Sequence, residues 1–255
     1  VIWFSYDYWA PNLAANTIPA DITRTRIPFS LGGTASDTNA LAANGSIRIT
    51  QSYNGGTPAV LPNVTITPNG DNTACTWSAA NLPRDPSNLT TSVGAPDGTY
   101  TYSVVATDRS GKSSTALAKI IVFDTTAPSI DSITHPAATG TNNYVTGPTE
   151  FRGTASDTAG SGGVLVEYSL NGTDWDDANG FANWSASFEF EAAELEGAKT
   201  LYVRATDAVG NVSTPISRNF VYDKGAPSLT AANTVPADLT LTNTGFSLSG
   251  SAEDG

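Results

Sequence analysis

Ile-Val-Phe-Asp-Thr-Thr-Ala-Pro-Ser-Ile at 121–130 recurs as Phe-Val-Tyr-Asp-Lys-Gly-Ala-Pro-Ser-Leu at 220–229. A looser copy is Phe-Ser-Tyr-Asp-Tyr-Trp-Ala-Pro-Asn-Leu at 4–13. Each reads aromatic-Asp-x-x-Ala-Pro, with prolines at 11, 128 and 227. Self-similarity at a fixed period marks a repeat architecture. A second block follows each copy: Phe-Ser-Leu-Gly-Gly-Thr-Ala-Ser-Asp (29–37), Glu-Phe-Arg-Gly-Thr-Ala-Ser-Asp (150–157) and Phe-Ser-Leu-Ser-Gly-Ser-Ala-Glu-Asp (246–254). A third block occurs twice, as Val-Val-Ala-Thr-Asp-Arg-Ser-Gly-Lys-Ser-Ser (104–114) and Val-Arg-Ala-Thr-Asp-Ala-Val-Gly-Asn-Val-Ser (203–213).

Working outward from these blocks, residues 1–9 read as the last strand of a preceding repeat. Residues 10–126 and 127–225 are two whole repeats, and 226–255 are the opening strands of a further one. The Pro-bearing joints mark the boundaries, because Pro ends ladder pairing. The chain has no Met, so Val1 is read as an internal residue of a longer protein. The proline spacings are 117 and 99, and the excess of the first repeat lies within 57–96. That insert is expected to form an extra hairpin or long loop, with Val60, Leu61, Val64 and Ile66 packing on the sandwich, and to be where the first repeat meets a partner.

Within each repeat the apolar residues alternate. Tyr100, Tyr102, Val104 and Ala106 interleave with Thr99, Thr101 and Thr107, and Leu201, Val203 and Ala205 share one face. Period two means strands with one buried face. Asn54-Gly55 and Asn171-Gly172 read as two-residue hairpin turns. No stretch has helical spacing with caps. The pattern predicts an all-β chain of tandem sandwiches. Phe4, Tyr6, Ile121, Phe123, Phe220 and Tyr222 are expected at equivalent buried places, and Phe246 and Leu248 are expected to be covered.

Only 14% of the residues are charged and the net charge is −12, which argues against nucleic acid as a partner. No apolar run reaches the roughly 20 residues of a membrane span. The single cysteine, Cys75, excludes an intrachain disulfide and reads as a small buried apolar residue.

Ala205–Ser213 with Asp223–Pro227, and Ala106–Ser114 with Asp124–Pro128, resemble the bacterial Ig-like repeats of large cell-surface and adhesin proteins. Those repeats carry Ala-Thr-Asp-x-x-Gly-Asn-x-Ser at a late strand and then Asp-x-x-Ala-Pro. Here Lys112 stands in the first repeat where Asn211 stands in the second. The resemblance implies immunoglobulin-like β-sandwich domains arranged end to end, extracellular or on a cell surface. It implies a stalk or adhesive spacer, with a protein or glycan on another surface, or copies of the chain itself, as partners. A component of a filament, sheath or surface layer is the alternative. An accessory module of a secreted glycan-degrading enzyme is a further one.

Catalytic chemistry finds little support. His135, the one histidine, falls in a joint and reads as an exposed loop residue, and no Ser or Cys has a base in its repeat neighbourhood. Asp-Trp-Asp-Asp (174–177) reads as a solvated turn, or a cation or sugar site. Trp77 and Trp184, each followed by Ser, read as core plugs rather than sugar platforms. Trp9 suits packing in a joint, and Trp175 is the candidate exposed aromatic.

The repeated aspartates are the candidate site. Leu31, Gly33, Ala35 and Asp37 lie on one face of a strand, as do Tyr102, Val104, Ala106 and Asp108. In a seven-stranded Greek-key sandwich these two strands run the same way in facing sheets. Both end at the pole where the chain enters. The Asp of the preceding joint arrives there too. The expected triads are Asp7, Asp37 and Asp108, then Asp124, Asp157 and Asp207, with Asp223 and Asp254 beginning a third. Three carboxylates with carbonyls and water suit the six to eight oxygens that Ca²⁺ takes. The resemblance points the same way, because cadherin-like and some adhesin repeats are rigidified by calcium between domains. The competing reading is that each Asp caps its own turn.

Overall fold

A computed structural model describes residues 6–15, 24–42, 46–136, 144–158, 161–191, 195–231 and 250–253. Among them all regular structure is strand, and no helix is long and apolar enough to cross a membrane.

Among the described residues the first repeat holds β1 (Asn12–Ala15), β2 (Arg24–Thr25), β3 (Phe29–Ser36), β4 (Ile47–Tyr53), β5 (Ala59–Val60), β6 (Thr65–Pro68), β7 (Ala74–Leu82), β8 (Gly98–Ala106) and β9 (Leu117–Phe123). They form a sheet of order β1-β3-β7-β6 and a sheet of order β2-β9-β8-β4-β5. The opening strand is split: β1 pairs antiparallel with β3, and β2 crosses to pair parallel with β9. Period-two alternation sends Tyr100, Tyr102, Val104 and Ala106 into the core, where they meet Leu31, Ala35, Cys75, Trp77 and Ile49. Burial raises the Cys75 thiol above its ordinary value, as suits an inert core residue.

The second repeat holds β10 (Ser129–His135), β11 (Tyr144–Val145), β12 (Thr149–Ser156), β13 (Gly163–Ser169), β14 (Asp176–Asp177), β15 (Asn183–Phe188), β16 (Gly197–Asp207) and β17 (Ile216–Tyr222). Their orders, β10-β12-β15 and β11-β17-β16-β13-β14, repeat the first pattern, with no counterpart of β6 among the described residues. This is an immunoglobulin-like β-sandwich, twice. A further pair follows, β18 (Ser228–Ala231) against β19 (Gly250–Glu253), with Leu229 opposite Ala252 as Leu13 is opposite Ala35. By contacts the chain forms two compact units. The first comprises 1–129, 155–165 and 204–214, and the second comprises 130–154, 166–203 and 215–255.

Repeated sequence explains repeated packing. Gly33 stands opposite Trp77, and Gly153 opposite Trp184. Both tryptophans are buried, and a Cβ at Gly153 would lie 2.4 Å from the Trp184 ring and 2.1 Å from the Ser132 carbonyl oxygen. The Gly-Thr-Ala motif thus makes room for the indole that fills each sandwich.

The insert resolves into two parts. Strand β6 adds an edge to the first sheet, and residues 83–97 form a loop between β7 and β8. Leu61 is buried, and Val64 and Ile66 pack against the core, but Val60 points outward on the two-residue edge strand β5. Among the final-strand apolar residues, Ile121, Phe123, Phe220 and Tyr222 are buried as expected. Tyr6 departs from the expectation at 85% exposure, because residues 6–9 join no strand of the described residues and its ring meets that of Tyr8, itself exposed. Phe4, Phe246 and Leu248 lie outside the described residues.

The two Asn-Gly pairs behave differently. Asn54 and Gly55 take φ of +46° and +73°, and the Gly56 amide closes the turn on the Tyr53 carbonyl. Asn171-Gly172 is no two-residue turn, since Tyr168 pairs with Asp176 across a longer loop. That loop is built on the Asn171 side chain, which accepts the amides of Thr173 and Asp174.

Candidate metal centre

The aspartates of the second and third repeated sequence blocks meet the joint aspartates at one pole of each repeat. Asp7, Asp37 and Asp108 each offer an oxygen, and these lie within 4.8 Å of one another; so do those of Asp124, Asp157 and Asp207. Ligand oxygens on opposite sides of a Ca²⁺ ion stand about twice 2.3–2.6 Å apart, so this spacing fits one ion. All six carboxylates belong to the first compact unit.

Local structure explains the convergence. One oxygen of most of these carboxylates caps a turn of its own chain. Asp37 Oδ1 accepts the Asn39 amide at 2.8 Å, and Asp124 Oδ1 accepts that of Thr126 at 3.1 Å. Asp7 Oδ1 accepts the Trp9 amide at 3.3 Å. Asp108 Oδ1 accepts the Lys112 amide and the Ser110 hydroxyl, both at 2.8 Å. Asp207 Oδ1 accepts the amides of Val209 at 2.9 Å and Asn211 at 2.8 Å. The two sequence readings are therefore compatible, because a carboxylate has a second oxygen to give.

That second oxygen is where the sites differ from plain turns. Asp108 is 2% exposed, and its Oδ2 is sealed from solvent without a hydrogen-bond partner. A buried, unpaired carboxylate oxygen is costly unless a cation meets it. Asp124 is fully buried, and its Oδ2 accepts the Ser161 amide at 2.9 Å. The Ser161 hydroxyl is itself buried with no partner. The donor set, hard oxygens only, suits Ca²⁺ rather than a soft metal. Burial works to raise the pKa of Asp108. The Lys112 amide, the Ser110 hydroxyl and amide, and the Lys112 charge outweigh it and hold the group below its ordinary value, hence ionised.

Among the described residues no further group of metal-ligating side chains comes together. Asp223 Oδ1 accepts the Gly225 amide at 3.2 Å, and Asp254, its expected companion, lies outside the described residues. His135 is exposed. Asp174 is bonded to the Asn171 side chain at 2.7 Å, while Asp176 and Asp177 lie exposed on β14. Trp9 is exposed and Trp175 half-buried.

Sequence reading missed a second acidic element. Asp97 and Glu196 each precede the glycine that opens a long strand, Gly98 and Gly197. Asp97 Oδ1 accepts the Thr125 amide at 2.8 Å and its hydroxyl at 2.9 Å, and Oδ2 accepts the Thr126 hydroxyl at 2.5 Å. Glu196 Oε1 accepts the Lys224 amide at 2.8 Å. The signal was legible as an acidic residue followed by Gly at matching places. Gly98 has φ of +151°, and a Cβ there would meet the Tyr53 ring at 2.6 Å.

No protein-family model matches the chain, and no curated protein does. Among solved structures, the fibronectin(III)-like modules of Clostridium thermocellum CbhA are 14% identical, with 83% of this chain and 94% of that one covered at a TM-score of 0.36. A tetra-tandem repeat from the extending region of a large adhesion protein is 18% identical over 96% of this chain at a TM-score of 0.33; this chain spans 62% of its length. The D00–D0 domain of intimin is 16% identical, with 83% and 99% covered, at 0.34. The immunoglobulin-like assignment rests on the strand order and register described above.

Proposed function

We propose that this chain is a non-catalytic repeat segment of a bacterial cell-surface protein, a stalk or adhesive spacer whose joints are held by Ca²⁺. Its partners are then a protein or glycan on another surface. The observation that carries the reading is the recurrence of one carboxylate triad, in the same three sequence blocks, at the entry pole of both repeats. A catalytic site has no reason to be copied with the joint, whereas a device that fixes each joint does. Three carboxylates held together without a cation repel one another. An ion would remove that repulsion and tie the joint segment to two strands of the sandwich it enters. The acidic surface and the mix of Thr, Ser, Asn and Gly suit an extended, soluble extracellular element.

The test is calorimetry of the 255-residue chain in Ca²⁺ and in chelator. Ca²⁺ at a hundred times its dissociation constant should stabilise by about 2.7 kcal/mol per site and raise the melting temperature. Asp207→Asn should abolish part of that rise. A melt indifferent to Ca²⁺ and chelator would leave turn capping as the sole role of these aspartates.

A further inference from the structure

The two triads share their carboxylates and differ at one facing position. At the second pole Asn211 donates its Nδ2 to Asp207 Oδ2 at 2.7 Å, to the Asp124 carbonyl oxygen at 3.1 Å and to that of Thr126 at 3.3 Å. At the first pole the residue is Lys112, whose Nζ donates to the Asp7 carbonyl oxygen and to Ser110 Oγ at 3.0 Å. Their backbone amides cap the equivalent oxygens, Asp108 Oδ1 and Asp207 Oδ1, each at 2.8 Å. The two side chains therefore start from matching positions and reach the carbonyl of the matching joint aspartate. One brings a neutral amide and the other a full positive charge.

We propose that Lys112 makes the first triad a weak divalent-cation site and that Asn211 leaves the second a strong one, so that the two sites fill in sequence as the cation concentration rises. The inference rests on reading the triads as cation sites. Independent observations point to a ligand at each pole: the sealed, unpartnered Asp108 Oδ2 at the first, and at the second the sealed, unpartnered hydroxyl of Ser161, whose amide is bonded to Asp124 Oδ2. The ammonium beside the first triad cancels part of its charge and repels an incoming ion. It does not cover Asp108 Oδ2, so binding is weakened rather than abolished. The cations near the second pole are of a different kind. Arg24 and Arg26 give their guanidinium groups to the carbonyl oxygens of Ser161 and Gly210, and both residues are exposed, where solvent and salt screen them.

Isothermal titration of the intact chain with CaCl₂ tests this directly. Two classes of site are expected, the tighter lost in Asp207→Asn and the weaker in Asp108→Asn. Lys112→Gln and Lys112→Asn should each tighten the weaker class by about tenfold or more, from removal of a unit charge beside a divalent ion. Asn211→Lys should weaken the tighter class by a similar factor. Circular dichroism identifies any variant that fails to fold, and the Gln and Asn substitutions back each other up. Two equal sites in the unaltered chain, or a weaker class indifferent to both Lys112 substitutions, overturns the inequality while leaving the cation reading intact. Absence of any Ca²⁺ uptake at millimolar concentration overturns both.

Discussion

Asp97 Oδ1 accepts the backbone amide of Thr125 at 2.8 Å, so the last residue of the first repeat's long loop grips the joint that ends the repeat. Glu196 does the same for Lys224 at 2.8 Å. The joints at 124–128 and 223–227 are therefore each held from behind by such an acidic residue, and the joint aspartate Asp124 also accepts the Ser161 amide. The grip from behind needs no metal.

Removing it should loosen the joint without disturbing the sandwich. Asp97→Ala is expected to cost about 1–2 kcal/mol, the usual loss for hydrogen bonds to a half-exposed charged acceptor. Hydrogen exchange at Thr125 should accelerate while the amide of the core residue Ile49 keeps its protection. Glu196→Ala should reproduce the effect at Lys224. Unchanged exchange at both joints would show that these bonds do not hold them.

Packing around the repeated tryptophan predicts a larger effect. Gly153→Ala places a methyl group 2.1 Å from the Ser132 carbonyl oxygen and 2.4 Å from the Trp184 ring. Overpacking of this kind costs about 3 kcal/mol, at the upper end of its usual range. Urea denaturation should show it in the midpoint. Trp184→Leu in the same chain should recover only part of the loss, because the Ser132 backbone still blocks the methyl group.

Alkaline pH should unfold the first sandwich through its two core tyrosines. Burial raises both Tyr100 and Tyr102 well above the ordinary tyrosine value. The unfolded chain releases these protons near pH 10, while the folded sandwich retains them. Stability is then full below about pH 10 and falls as the pH rises beyond it. Tyr102→Phe should flatten that fall, at the expense of the bond its hydroxyl donates to Gln51 Oε1 at 3.2 Å. A stability that stays level from pH 9 to 11 would contradict this.

The architecture was legible because two signals agreed. Period-two alternation gave the strands, as along Tyr100–Ala106, and the repeated blocks aligned them. The grouping of Asp124 with Asp157 and Asp207 followed from asking which strands end at one pole. What stayed hidden depends on partners distant in sequence. Nothing local distinguishes the Asn171-Gly172 loop from the Asn54-Gly55 turn, because the difference lies in whether the chain turns back at once or the Asn side chain organises a longer loop. Capping and cation binding looked like rival roles in sequence, yet at Asp108 the cap uses Oδ1 and leaves Oδ2 without a hydrogen-bond partner, so the one role does not preclude the other. The final-strand pattern put Tyr6 in a core, but burial requires a sheet to bury against.

The loop at 83–97 hangs on a buried polar network, and this gives the last prediction. Gln51 faces the Arg84 backbone as a strand would, donating to its carbonyl oxygen at 2.7 Å and accepting from its amide at 3.0 Å. Arg84 is 6% exposed and spends its guanidinium on the Leu89 and Ala80 carbonyl oxygens, at 2.9 and 3.1 Å. No carboxylate balances the charge in these bonds, so the loop is held by geometry that any lost member undoes. Gln51→Ala strands the Tyr102 hydroxyl and the Arg84 backbone in an apolar core, and a cost of about 3 kcal/mol is expected from unsatisfied buried groups. The loss should be local first. Trypsin cuts after arginine, and the Arg84–Asp85 bond is shielded while this network holds. Under native conditions the variant should be nicked there before any other site, leaving two fragments that part only on denaturation. If the variant and the unaltered chain are cut at the same rate, the loop is anchored elsewhere.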